Sequence, residues 1–185
     1  FAAVLGAYLA MQALYSLALK RVPLVDVIVI ATGFVLRTIA GARAIHAAIS
    51  PWLLLCAFLL ALFLALCKRR GERRKLDSGD SFSTRPALAG YGEHLLDQLI
   101  AIVASATITC YAIYTLWPDT VAKFRTHRLV YTVPFVLFGL FRYLDLVYRH
   151  DEGGEPEHVL LTDLPTLLNL ALYGAAVLVI LLGPH

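Results

Sequence analysis

Long stretches of this 185-residue chain contain no Asp, Glu, Lys or Arg, among them Phe1–Leu19, Gln98–Pro118 and Leu164–Pro184. Each is about as long as the ~20 residues a helix needs to cross the hydrocarbon of a bilayer. In that medium every backbone N–H and C=O must be paired within the chain, which leaves helices or closed barrels. The stretches lack the period-2 alternation of barrel strands, so helices remain. Composition agrees: 59% of residues are apolar and 16% charged, with a mean hydropathy of +0.74. An ordinary soluble domain carries about 25% charged residues. A soluble domain, a disordered chain and a disulfide scaffold are excluded. The expected fold is an all-α, polytopic membrane helical bundle forming one domain over residues 1–185.

Six spans are expected, at roughly 1–19, 24–45, 50–67, 95–117, 128–148 and 163–183, with Pro23, Pro51, Gly71, Pro118 and Pro165 marking ends. Successive spans alternate direction, so Lys20, Arg21, Lys68, Arg69, Arg70, Arg73, Arg74, Lys75, Arg85 and Arg149 fall on one side. Arg43, Lys123, Arg125 and Arg128 fall on the other. The bias places the first set in the cytoplasm, together with the acidic 151–163 loop. The chain opens on Phe in mid-helix, without an initiator Met or a charged leader, so preceding sequence is expected. A short interfacial helix over 86–96 is a further expectation.

Arg37 lies about 20 Å along the second span from its inner end, at 1.5 Å per residue. A cation at that depth is costly and usually faces a cavity or a partner. Gly33 and Gly41 flank it one turn away on the same stripe, which also carries Asp26. Arg37 reads either as an anion-binding residue or as a structural one paired with a carboxylate or helix carbonyls. Ser16 and Lys20 share a face at i, i+4 beside Tyr15, where Lys20 serves as a phosphate ligand or as a membrane-surface anchor. In Lys68–Lys75, Arg and Lys suit phosphate, but positive-inside charge explains them too. Glu72 within that run is an ion-pair partner or a metal ligand. Asp163 precedes the last span and suits an N-cap. The carboxylates of the 151–163 loop, with a phosphate substrate, suit Mg²⁺. Arg142 and Asp145, three residues apart, suit an intrahelical pair.

Cys56, Cys67 and Cys110 sit in apolar segments without metal-ligand spacing and read as small buried hydrophobes. No GxxxxGK[ST], GxSxG or HExxH motif occurs, and the six His are scattered.

Five stretches taken together carry a resemblance: YSLALKR (15–21), DVIVIATGFVLRTIAGARAI (26–45), SPWLLLCAFLLALFLALCKRRGE (50–72), RPALAGYGEHLLDQLIAIVASAT (85–107) and FRYLDLVYRHDEGGEPEHVLLTDLP (141–165). They resemble the decaprenyl-phosphate phosphoribosyltransferases, a subfamily of the UbiA-type membrane prenyltransferase superfamily. The resemblance implies a nine-helix bundle of which these spans are the last six. The first three helices and the family's NDxxDxxxD motif have no match here. The implied reaction moves 5-phosphoribose from phosphoribosyl pyrophosphate to a polyprenyl phosphate in a bacterial plasma membrane, releases pyrophosphate, and serves cell-wall biosynthesis. Tyr15, Ser16, Lys20, Arg37, Lys68 and Arg69 are the implied substrate-binding residues. Mg²⁺ is the implied cofactor. Glu72, where the wider superfamily has its second Asp-rich motif, and the acidic positions Glu157 and Asp163 are the implied metal ligands.

Two rival readings stand beside this one. A UbiA-type enzyme moving a prenyl chain to an aromatic acceptor is expected to carry clustered aspartates after the third span, where this chain has KRRGE. A transporter or non-catalytic scaffold is expected to show broken helices and repeated halves, and neither is evident in the sequence. No nucleic-acid partner is expected, and self-association into a homo-oligomer is left open.

Overall fold

The computed structural model describes residues 2–17, 19–47, 49–77, 90–149 and 162–183. Among these described residues seven α-helices follow one another: α1 Ala2–Leu17, α2 Val25–Ala44, α3 Pro51–Asp77, α4 Glu93–Leu116, α5 Pro118–Phe124, α6 Val133–Arg149 and α7 Leu164–Leu182. Short 3-10 turns at Leu19–Arg21 and Arg128–Thr132 precede α2 and α6. Among the described residues there is no strand. The helices α2, α3, α4 and α7, and α6 with its preceding turn, supply five segments long and apolar enough to cross a membrane. The chain is a multi-pass membrane protein. The expected first span corresponds to α1, whose 16 described residues are charge-free but short of that length.

The third helix differs from expectation. It does not end at residue 67 but runs on to Asp77, carrying the basic run as helix rather than loop. Arg, Lys and Glu are good helix formers, and their long side chains reach polar partners while the backbone stays bonded. At 27 residues α3 is about 40 Å long, against a hydrocarbon core of about 30 Å, so its basic end projects beyond the apolar zone. The expected helix over 86–96 is only partly described: residues 86–89 lie outside the described residues, and α4 starts at Glu93.

Hydroxyl groups in the spans are satisfied locally. Thr32, Thr38, Ser105, Thr107 and Thr109 each donate to the carbonyl four residues back, at 2.7–2.9 Å. In hydrocarbon that removes an otherwise unpaired group. Elsewhere the helices meet through apolar side chains. Val27 of α2, Phe63 and Leu66 of α3, Leu96 and Ile100 of α4, and Leu140, Tyr143 and Leu146 of α6 form the buried centre. A Cβ on Gly33 would stand 3.2 Å from Met11 Cε, so that glycine is where α1 lies close on α2. By contrast, α7 buries only Thr166 and exposes Leu168, Leu170, Leu178 and Val179, a surface suited to apolar surroundings.

Side-chain pairs show which helix ends lie together. Asp26 of α2 meets Arg69 of α3, Arg70 of α3 meets Asp97 of α4, and Arg142 of α6 meets Asp163 before α7. These pairs, among the described residues, form a polar end of the bundle. The opposite end is aromatic, with Trp52 and Trp117 ring centroids 5.1 Å apart, as in the belts that anchor helices at membrane interfaces.

Candidate functional site

The polar end is built from the turn between α1 and α2. Val25 N–H donates to Pro23 O at 2.8 Å across Leu24, whose φ is 67° and ψ −43°. That is a γ-turn in its rare strained form, and a β-carbon makes such a conformation cost about 1–3 kcal/mol. The turn is held from outside. Leu24 N–H donates to Tyr91 Oη at 2.6 Å, and Tyr91 O–H donates to Asp26 Oδ1 at 2.6 Å. Next to Tyr91, a Cβ on Gly90 would fall 2.3 Å from Pro23 Cγ, so only glycine lets the two segments approach this closely. Burial, reinforced by the bond to Asp26, pushes the Tyr91 phenol far above its ordinary pKa and keeps its proton in place.

Asp26 and Arg69 are 1% and 2% exposed. Arg69 Nε stands 2.8 Å from Asp26 Oδ2, an ion-pair distance, although its N–H is not aligned for a hydrogen bond. Arg69 Nη1 also donates to Glu72 Oε2 one turn further along α3. Two charges this deep are tolerable only when paired, and removing either partner strands the other. Arg69 also lies within electrostatic reach of Tyr15 of α1. The chain Leu24–Tyr91–Asp26–Arg69–Glu72 therefore ties the α1–α2 turn, the start of α4 and the end of α3 to one another.

A second network stands beside it. Arg70, 5% exposed, bonds Asp97 Oδ1 through Nε at 2.7 Å and Val147 O through Nη1 at 3.3 Å. Tyr148 donates to the same Asp97 oxygen at 2.9 Å, and its ring lies 3.9 Å from the Arg70 guanidinium carbon. An open groove of about 450 Å³ runs from there between α4 and α6, lined by Ile100, Ala101, Phe141, Leu144, Asp145 and Tyr148.

The expected site residues are distributed unevenly. Tyr15, Lys20, Lys68, Arg69 and Glu72 belong to the polar end, and Ser16 follows Tyr15 on α1. Lys20 and Ser16 are exposed and Lys68 is half-buried. Arg37 stands apart: it is 11 residues beyond Asp26 on α2, about 16 Å along the axis. Its guanidinium carbon lies 4.7 Å from the Phe34 ring and 5.7 Å from the Tyr8 ring, and Nε donates to Gly33 O at 3.4 Å. Of the flanking glycines, Gly33 is filled by α1 and Gly41 faces open space.

Asp163 is the N-cap of α7, accepting from Thr166 N–H at 3.0 Å and Thr166 O–H at 2.7 Å. Both its oxygens also accept from Arg142, which pairs with Asp145 as expected from the sequence. Those bonds engage both oxygens, and the Arg142 guanidinium already compensates the carboxylate charge. Glu157 lies outside the described residues. Among the described residues no three His, Cys, Asp or Glu side chains converge on a point that could hold a metal ion. Mg²⁺ commonly binds through one or two carboxylates plus substrate phosphates. Of the expected ligands, Glu72 fits that mode: it is partly exposed and Arg69 engages only its Oε2.

Asp26, Tyr91, Arg70, Asp97 and Tyr148 were not among the expected site residues. For Asp26 there was a signal in the sequence: an acid in the first turn of an apolar span, on the side where the basic run emerges.

No family model matches the sequence. Among curated proteins the chain is 32% identical over 166 residues to the decaprenyl-phosphate phosphoribosyltransferase of Corynebacterium glutamicum, covering 88% of this chain and 48% of that protein. It is 31% identical over 182 residues to the protein of that name from Mycobacterium tuberculosis, covering 95% and 58%. For Mycolicibacterium smegmatis the figures are 29% over 171 residues, 88% and 52%. The chain spans about half the length of these relatives. With helices and turns but no strand among its described residues, several membrane-crossing segments and sustained identity along most of its length, the chain belongs to the decaprenyl-phosphate phosphoribosyltransferase family of UbiA-type membrane proteins.

Proposed function

We propose that the protein carrying this chain transfers 5-phosphoribose from phosphoribosyl pyrophosphate to a polyprenyl phosphate, with decaprenyl phosphate the acceptor, in a bacterial plasma membrane. The supporting observation is the identity to the three relatives along nearly the whole chain. The polar end is the donor site and faces the cytoplasm, where a soluble phosphorylated sugar is available. Lys20 and Lys68 receive the donor's phosphates, with Tyr15 and Ser16 beside them. Among the described residues neither lysine is tied up in an ion pair, whereas Arg69 is held by two carboxylates.

An oxygen of the acceptor phosphate attacks the anomeric carbon. The bond from that carbon to the pyrophosphate oxygen breaks, and pyrophosphate leaves with the electron pair. The attacking phosphate is already anionic, so no side chain need remove a proton. Cations fixed where negative charge accumulates lower the barrier, because they need not reorganise during the reaction. Mg²⁺, when bound, adds to that neutralisation on the leaving group. Glu72, whose Oε1 is not engaged by Arg69, would help to hold it. Arg37, about 16 Å further along α2, is too far to share the same pyrophosphate and belongs to another part of the substrate path.

The test is transfer of radiolabelled ribose 5-phosphate from phosphoribosyl pyrophosphate into the organic phase by the purified protein with decaprenyl phosphate. Label in a lipid phosphate, lost with EDTA, is expected. Absence of label together with prenyl transfer to an aromatic acceptor would overturn the proposal in favour of the general prenyltransferase activity.

A further inference from the structure

We infer that Asp26 is a positioning residue for the donor site, acting through Arg69; this rests on the reading of the polar end as that site. Asp26 reaches the rim only through others. It is 1% exposed, and its two oxygens are divided between Tyr91 O–H and the Arg69 guanidinium. Arg69 in turn holds Glu72, whose side chain is 19% exposed and so is the member of the chain that meets solvent and ligands. Asp26 therefore bears on the position of that rim carboxylate without touching it.

The charge pattern supports a positioning role over plain stabilisation. Asp26, Arg69 and Glu72 together carry one net negative charge at neutral pH, although burial of even a balanced pair is costly. An apolar contact between α2 and α3 would join the helices at lower cost. What an apolar contact cannot do is hold a guanidinium plane at a set angle so that its far edge presents to Glu72. Tyr91 completes the arrangement. Its hydroxyl is bonded on both sides, so Asp26 Oδ1 is not free to turn toward Arg69 or the rim.

The experiment measures Michaelis constants for phosphoribosyl pyrophosphate and for decaprenyl phosphate with four proteins: wild type, Asp26→Asn, Arg69→Lys and the double variant. Asp26→Asn is expected to raise the donor KM about tenfold, as for other partners one shell removed from a binding group. The acceptor KM stays unchanged. In the Arg69→Lys background the same substitution adds less than about twofold, because the two residues act as one unit. Tyr91→Phe, which keeps every charge, moves the donor KM in the same direction by a smaller factor and serves if Asp26→Asn does not fold. A normal donor KM in the folded fraction of both variants, with only the melting temperature lowered, would make Asp26 a structural anchor and overturn the assignment. Multiplying effects in the double variant would overturn it as well. A wild type that transfers no phosphoribose removes the donor site itself, a result visible before any substitution is compared.

Discussion

Arg142 grips Asp163 with two nitrogens, Nη2 to Oδ1 at 2.7 Å and Nε to Oδ2 at 3.1 Å, while the same carboxylate caps α7. One side chain thus starts the last helix and ties it to α6. The Arg142 bonds, with those from Thr166, hold the Asp163 carboxyl well below the usual carboxylate range of about 3.8. A depressed folded pKa contributes stability above the unfolded value and loses it as pH falls through the folded one. Asp163→Asn is expected to cost about 1–3 kcal/mol at pH 7, from weakened bonds to half-buried Arg142 and buried Thr166. The gap between wild type and variant should persist down to about pH 4 and narrow only below it. Thermal unfolding in detergent at several pH values checks this, and a gap that closes near pH 6 would assign the effect to another group.

Asp26→Ala leaves Arg69 buried with Glu72 alone. Removing one partner of a buried ion pair typically costs about 3–5 kcal/mol, and the remaining carboxylate should keep the loss near the lower figure. Replacing both, Asp26→Leu with Arg69→Met, should recover most of that loss, since the one charge left, Glu72, is partly exposed to solvent. Melting temperatures of the three proteins decide the matter. A double variant less stable than Asp26→Ala would show that the network contributes more than apolar packing can replace.

Lys75, on the projecting end of α3, and Arg125, after α5, should lie on opposite sides of the membrane, with Lys75 cytoplasmic. Each is exposed. In a background with Cys56, Cys67 and Cys110 replaced by alanine, a membrane-impermeant maleimide added to intact cells should label Arg125→Cys and spare Lys75→Cys. Labelling of both from the same side would contradict the alternation of the spans.

Arg37→Lys retains the charge and the approach to Tyr8 and Phe34 but loses the planar fork. Because Arg37 lies about 16 Å from the level of Asp26, the donor KM should stay within about twofold of wild type, while Lys68→Gln raises it about tenfold or more. Steady-state kinetics with varied donor gives the comparison. A tenfold rise for Arg37→Lys would bring α2's midpoint into the phosphate site.

Much of the architecture was legible in the residues alone. Charge-free stretches identify the helices because the bilayer excludes unpaired polar groups, a rule that acts on each segment separately. The gathering of Lys and Arg between alternate spans likewise marks one end of the bundle, and the KRRGE run and the GEPE loop, with the more widely shared YSLALKR, carry the resemblance. The local pairs Arg142–Asp145 and the Asp163 cap were also readable, since i, i+3 spacing and N-cap chemistry depend only on neighbours in the chain. The end of α3 was not. Hydropathy falls at Lys68, but the helix continues because Asp26, Glu72 and Asp97 receive the arginines that a purely apolar environment would have expelled. Nor does the sequence distinguish Arg69 and Arg70 from Arg73 and Arg74. Which arginines are buried, and that Tyr91 rather than another hydroxyl closes on Asp26, depends on how α2, α3, α4 and α6 pack. Contacts between distant segments are set by the relative positions of whole helices, and no periodicity within one helix encodes its neighbour's rotation.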